Sequence, residues 1–190
     1  MGALDHIVRS GKALYAGISS YNSKRTRAAV AILNDLGTPC VIHQPSYSML
    51  NRWVERDGLK DTLQELGVGS IAFSPLAQGM LSTKYLSGVP ENSRAAQDKS
   101  LSPNMLSEQA LSNIRQLNEI AKARGQTLAQ MAIAWVLREG GITTALIGAS
   151  KPAQITDCAG AINNLNFTPE DLVDIDKYAL EEGINLWALS

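Results

Sequence analysis

Four times along the chain, a brief apolar run gives way to polar residues and then to a helical pattern. That alternation restricts the fold more than any other feature. The runs are residues 13–18, 40–42, 70–73 and 144–147, and each ends in polar or turn residues: Ser19 and Ser20; His43, Gln44 and Pro45; Ser74 and Pro75; Gly148, Ala149 and Ser150. Helical patterns fill the intervals. One over 24–36 is capped by Ser23 and stopped by Gly37, and one over 59–66 is stopped by Gly67. A third over 108–124 is stopped by Gly125, and a fourth follows a Thr127/Gln130 capping box as far as Arg138. Ser150 is positioned to cap a helix through 162, and Thr168 with Pro169 opens a last one to about 180. Residues 78–105, rich in Ser, Gly, Pro and charge, read as a loop.

Strands separated by helices run parallel, which leaves an open doubly wound sheet or a (β/α)8 barrel. A doubly wound nucleotide binder carries GxGxxG after a strand, and this chain has none. Polar residues at the C-terminal end of every strand suit a barrel, whose chemistry sits there. The fold class is therefore α/β, of the (β/α)8 TIM-barrel family, with residues 1–190 a single domain. Only four of the eight strands are legible, so the reading is a half barrel. The chain opens in a helical pattern (Ala3, Leu4, Ile7, Val8) with no strand before it, which reads as a βα unit entered at its helix.

Composition removes several function classes. A net charge of -1, from 17 basic and 18 acidic residues, gives no electrostatic footprint for nucleic acid or a membrane surface. No apolar run approaches the roughly 20 residues that span a bilayer. The N-terminus lacks the basic-then-apolar order of a secretory signal. Cys40 and Cys158 are far apart and outside any CxxC motif, which argues against a disulfide framework and for a reducing cytoplasm. No metal site is read.

Two segments carry candidate chemistry. In IAFSPLAQGMLSTKY (71–85), Phe73 stands at a strand mouth, Ser74 to Ala77 turn, and Gln78-Gly79 permit close backbone approach; Lys84 and, beyond it, Arg94 add positive charge. An aromatic plane beside amides and cations suits a dinucleotide. The competing reading is core packing for Phe73 and solvation for Lys84. In LIGASKPAQITDC (146–158), Gly148 precedes a helix start at Ser150 and Lys151, where free N–H groups and the helix dipole favour an anion. An ordinary strand-to-helix junction fits that segment equally well.

GISSYN (17–22), HQPSYSML (43–50), FSPLAQGMLSTKY (73–85), GVPENSR (88–94) and LIGASKPAQI (146–155) resemble aldo-keto reductases in order and spacing, and the similarity runs from Leu4 to Leu189. It is strongest toward the branch shared by bacterial reductases of a phosphorylated triose and the beta subunits of voltage-gated potassium channels. The resemblance implies that the four strands are the fifth to eighth of the barrel, the NADP-binding half. It implies that Ser19, Ser20 and Gln44 hold the nicotinamide carboxamide and that Phe73, where the family often has Tyr or Trp, stacks on the ring. Ser74, Leu76, Gln78, Gly79, Lys84 and Arg94 would line the pyrophosphate and its covering loop. Gly148, Ser150, Lys151 and Gln154 would hold the adenosine end, with Ser150 and Lys151 at the 2′-phosphate, favouring NADP over NAD.

Two departures from the family pattern stand out. Asp157-Cys158 replaces the Glu-Asn with which many members grip the adenine, so Asp157 is expected to contact it weakly and Cys158 to pack as a small apolar residue. The family's Asp, Tyr, Lys and His tetrad belongs to segments before the fifth strand, and nothing here matches it. His6 lies in the opening helix, and His43 reads as strand-end packing. Tyr47 reads as a loop residue with no adjacent cation to lower its phenol pKa, and packing at the surface is the expected role for it and for Trp187. No catalytic residue is assigned. The implied function is NADPH-dependent reduction of a small-molecule aldehyde or ketone, with the chain alone poorly active. The alternative is a non-catalytic NADP-binding or regulatory module, or a truncated, inactive reductase. Unpaired sheet edges imply a homo-oligomer or complementation by a missing N-terminal half.

Overall fold

Ser19 lies opposite Gln44, His43 opposite Ser70 and Ala72 opposite Ala145 in a parallel sheet whose strands keep their sequence order. A computed structural model describes residues 1–86 and 106–181. Its strands are β1 (Ala16–Ser19), β2 (Cys40–Gln44), β3 (Gly69–Ala72) and β4 (Thr144–Ala145). A doubly wound sheet reverses its order at a switch point, whereas a barrel advances one neighbour at a time. These four strands advance without reversal, as expected of part of a barrel. β1 alternates buried and exposed positions, with Ala16 and Ile18 turned toward the helices and Gly17 and Ser19 to the open face. The β1 and β2 backbones approach closely at Gly17, where a Cβ would stand 2.7 Å from Ile42 Cγ2 and 3.0 Å from its carbonyl oxygen.

Helices α1 (Gly2–Arg9), α2 (Ser23–Asp35), α3 (Trp53–Arg56), α4 (Leu59–Leu66), α5 (Glu108–Ala123), α6 (Leu128–Leu137), α7 (Pro152–Ala159) and α8 (Pro169–Tyr178) complete the described fold. The helix α6 is apolar nearly all round and buried from Leu128 to Val136, because α5, α7 and β4 pack about it. Trp135, at its centre, is fully buried with Leu33, Leu59, Met80 and Leu117 elsewhere in the core. Each such side chain contributes roughly 1.5–3 kcal/mol by leaving water.

Several boundaries differ from the sequence reading. β1 starts at Ala16 rather than residue 13, leaving Leu14 and Tyr15 exposed, and β4 has two residues rather than four. Phe73 lies just past β3 and pairs with Ser46 through an isolated parallel bridge. Asn22, not Ser23, caps α2: its Oδ1 accepts the Arg25 N–H at 2.8 Å, while the Ser23 N–H donates to Asp57 at 2.6 Å. Ser150 is not a cap either. Lys151 holds that place and α7 ends at Ala159, with a 3-10 turn on to Asn163. The helix α3 carried no periodic signal. The caps at Thr127 and Thr168 and the stop at Gly67, at φ 66°, are as read. Arg94, Trp187 and most of the expected loop lie outside the described residues.

Candidate functional site

Parallel strands bring their C-terminal ends to one edge, and hydrogen bonds fasten the tips there. The Ser19 hydroxyl donates to the Gln44 carbonyl at 2.8 Å, which commits its proton and leaves its lone pairs as acceptors. Ser20 turns into the left-handed region (φ 57°), and its N–H donates to the same carbonyl at 3.2 Å. The half-buried Gln44 carboxamide forms no hydrogen bond among the described residues. Beyond β2 and β3 the chain stays paired: Phe73 N–H donates to Pro45 O at 3.0 Å, and Tyr47 N–H to Phe73 O at 3.2 Å.

Past Phe73 the backbone is strained. Ser74, Ala77 and Gln78 take φ values of 55°, 49° and 61° before Gly79 at 97°. Non-glycine residues pay roughly 1–2 kcal/mol each for that conformation, and such clusters occur where a loop is shaped for a ligand. The loop forms one wall of a cleft of about 350 Å³, lined by Phe73, Ser74, Leu76, Gln78, Gly79 and Gly148, with Pro75, Leu146 and Ile147. A second cleft, of about 360 Å³, is lined by Leu76, Lys84, Gly148, Gln154, Asp157 and Cys158, with Ser82, Thr83, Thr127 and Ala129. Leu76 and Gly148 belong to both, so the clefts abut along β3 and β4. Each lies within the ~300–1,000 Å³ of small-molecule sites.

Nine of the residues singled out in the sequence therefore line these two adjoining clefts: Phe73, Ser74, Leu76, Gln78, Gly79, Lys84, Gly148, Gln154 and Asp157. Ser150 and Lys151 stand beside them, with their N–H groups donating to Gln154 Oε1 at 2.8 and 3.2 Å. Ser19, Ser20 and Gln44 line neither cleft and sit at the neighbouring tips of β1 and β2. Asp157 is held by the Thr127 hydroxyl at 3.1 Å, a contact not foreseen, although Thr127 had been singled out as a cap. Cys158 is buried, as expected, and burial pushes its thiol up.

Neither nearby titratable ring is placed to move a proton. His43 is fully buried with Nε2 3.0 Å from Tyr21 O, and burial lowers its pKa. The expectation for Tyr47 is corrected on two counts. It is fully buried rather than at the surface, and it has a cation beside it, Arg138, whose Nη1 lies 3.1 Å from the phenol oxygen. The phenol nonetheless holds its proton more tightly than usual, because burial outweighs the guanidinium and the hydroxyl donates to Glu55. No periodicity announced Glu55 or Arg138. The nearest signal is Trp135 and Arg138, three apart at the end of an apolar helix.

Comparison with known proteins follows the same lines. The model of the Aldo/keto reductase family matches residues 1–180. L-glyceraldehyde 3-phosphate reductases of Escherichia coli O157:H7 and of Escherichia coli strain K12 are each 50% identical over 192 residues, covering 99% of this chain and 56% of theirs. The chain thus spans a little over half the length of these relatives. The crystal structure of a thermostable aldo-keto reductase, Tm1743, in complex with the inhibitor epalrestat matches 93% of this chain and 53% of its own, with a TM-score of 0.67 and 26% identity.

Proposed function

We infer that this chain, which belongs to the aldo/keto reductase family, forms an NADPH cradle across its four strand tips and serves the reduction of an aldehyde or ketone. In this reading β1 to β4 are the fifth to eighth strands of a (β/α)8 barrel. The observation that carries it is the pair of adjoining clefts, one beginning at Phe73 and the other reaching Asp157, that share Leu76 and Gly148 in their walls. The residues present fit an elongated, anionic, aromatic-ended ligand. The Phe73 ring borders one end, strained backbone and the Lys84 ammonium border the middle, and Gln154 and Asp157 border the other. Ser19, whose oxygen retains acceptor capacity beside the Ser20 hydroxyl 3.5 Å away, and Gln44, through an amide without a partner among the described residues, suit a carboxamide that both donates and accepts. Lys151 at the start of α7 suits the 2′-phosphate.

When bound, the reduced nicotinamide supplies hydride to a carbonyl carbon. These residues would orient the ring and exclude water from one of its faces. Tyr47 and His43 are buried and engaged, so neither is placed to protonate the carbonyl oxygen. Proton donation contributes typically 10²–10⁴-fold, so turnover by this chain alone is low. The relatives named for L-glyceraldehyde 3-phosphate make a short phosphorylated aldehyde the first substrate to try.

The same engaged side chains favour a second reading, an NADP-binding module without catalysis. Fluorescence titration with NADPH, followed by NADPH oxidation in the presence of L-glyceraldehyde 3-phosphate, separates the two. Binding with slow oxidation supports the reductase, and binding with none supports the module. No saturable NADPH binding refutes both.

A further inference from the structure

We propose that Glu55 and Tyr47 are positioning residues for the nicotinamide end of the cleft, acting through the backbone of Phe73. The inference rests on the NADPH reading above and assigns a task to a half-buried cluster of charged groups around the buried Tyr47 and Trp135. Glu55 Oε1 accepts from the Tyr47 hydroxyl and from Arg138 Nη2 at 2.8 Å, and its Oε2 accepts from Arg52 Nε at 2.7 Å. Arg138 also reaches the Tyr47 oxygen at 3.1 Å and the Trp135 carbonyl at 2.6 Å. Both guanidinium groups stand over the Trp135 indole, Arg138 at 3.8 Å and Arg52 at 5.1 Å, with the Tyr47 ring 5.3 Å away. Charge-assisted bonds in a water-poor setting are the strong ones, and a planar guanidinium loses little freedom in making them.

The cluster ends at the cleft. Tyr47 N–H donates to Phe73 O and Phe73 N–H to Pro45 O, so the 45–47 segment holds Phe73 on both sides. The Trp53 indole N–H, two residues before Glu55, donates to Ser46 O at 2.7 Å. Four residues of α3 are far too few to hold a helix by propensity. Its contacts with residues 46 and 47 fasten it, and those contacts transmit the position of Glu55 to Phe73, which lines the first cleft.

The test compares two ligands on the same protein: NADPH, and 2′-phospho-ADP-ribose, which lacks the nicotinamide. Tyr47→Phe keeps the ring against Trp135 and deletes the tie to Glu55, while Glu55→Ala deletes the hub. Each variant should weaken NADPH about tenfold, the lower range for loss of one hydrogen bond to a charged group. Affinity for 2′-phospho-ADP-ribose should stay within about twofold in both. In a Phe73→Ala background, Tyr47→Phe should have no further effect on NADPH. Parallel loss of both ligands would show a merely structural role and overturn the proposal, as would unchanged NADPH affinity in both variants or a full additional loss in the Phe73→Ala background. Wild type that binds neither ligand defeats the cofactor reading itself, and this proposal with it. Wild type that binds both equally leaves that reading standing and removes the positioning role.

Discussion

Replacing Gly160 by alanine sets two effects of similar size against each other, and the structure decides the sign. Gly160 has φ -60° and ψ -15°, a conformation alanine adopts freely. Removing glycine's freedom in the unfolded chain should therefore stabilise by about 0.4–1 kcal/mol. The new Cβ, however, would stand 2.6 Å from Gln130 Nε2 and 3.4 Å from Gln130 Cδ. That amide is the far end of a flexible side chain, so it moves aside, but it is tied at both atoms. Its Oε1 accepts the Thr127 N–H at 3.0 Å and its Nε2 donates to Asp157 O at 3.1 Å. Two such bonds are worth about 0.5–1.5 kcal/mol each, at the low end here because water can reach the Thr127 N–H. The loss of about 1 kcal/mol meets or exceeds the gain, and Gly160→Ala should be destabilised by up to about 0.6 kcal/mol. For a chain of this size that lowers Tm by at most roughly 2 °C. In a Gln130→Ala background both bonds are already gone, so the same change should raise Tm. A double-mutant cycle by thermal or urea unfolding checks it. Equal destabilisation in both backgrounds would show that the clash with Gln130 is not the cause.

Three further outcomes follow from other parts of the molecule. With Nε2 donating to Tyr21 O, His43 keeps a bare, buried Nδ1 without a partner, and its folded pKa lies below its ordinary 6.5. The unfolded chain then binds a proton that the folded one refuses, so stability is fully present above pH 6.5 and falls below it. Urea midpoints at pH 7.5 and 5.5 should converge more closely in His43→Gln than in wild type; an unchanged difference between them defeats this account. Lys84 is exposed on the second cleft, so Lys84→Met should weaken NADPH a few-fold at low salt and hardly at all in 0.5 M salt. A loss insensitive to salt would contradict it. Among the described residues β1 and β4 each pair on one side only, so light scattering should show dimers or larger species. A clean monomer is the contrary result.

What the sequence made legible was the arrangement that depends on local pattern alone. Alternating apolar runs and capped helices specify parallel strands, and parallel strands place every C-terminal end at one edge. The residues after the third and fourth runs accordingly come together, nine of those singled out lining two adjoining clefts, while Ser19, Ser20 and Gln44 at the first two tips line neither. Stops such as Gly67 and caps such as Thr127 were readable because they act within four residues. Asn22 displaced Ser23, and Lys151 displaced Ser150, because each helix begins one residue away from where the pattern put it, and periodicity alone does not fix a helix's first residue.

The illegible part is the machinery that holds the edge in place. Tyr47 looked like a loop residue without a cation because its cation, Arg138, lies 91 positions on, and the Arg52–Asp176 pair spans 124. Only packing of α6 and α8 against the segment after β2 brings these groups together, and periodicity records which face of a helix is apolar, not which charge waits opposite it. The same reasoning explains why Phe73 was placed at a strand mouth while its restraint was missed. Being aromatic at a strand end is a property of one position, whereas being held by Pro45 O and Tyr47 N–H depends on β2 and β3 ending level with each other. A strand-tip site of this kind is specified twice: once by residue type at the tips, and once by distant charges that fix where the tips stand. Only the first is written in neighbouring letters.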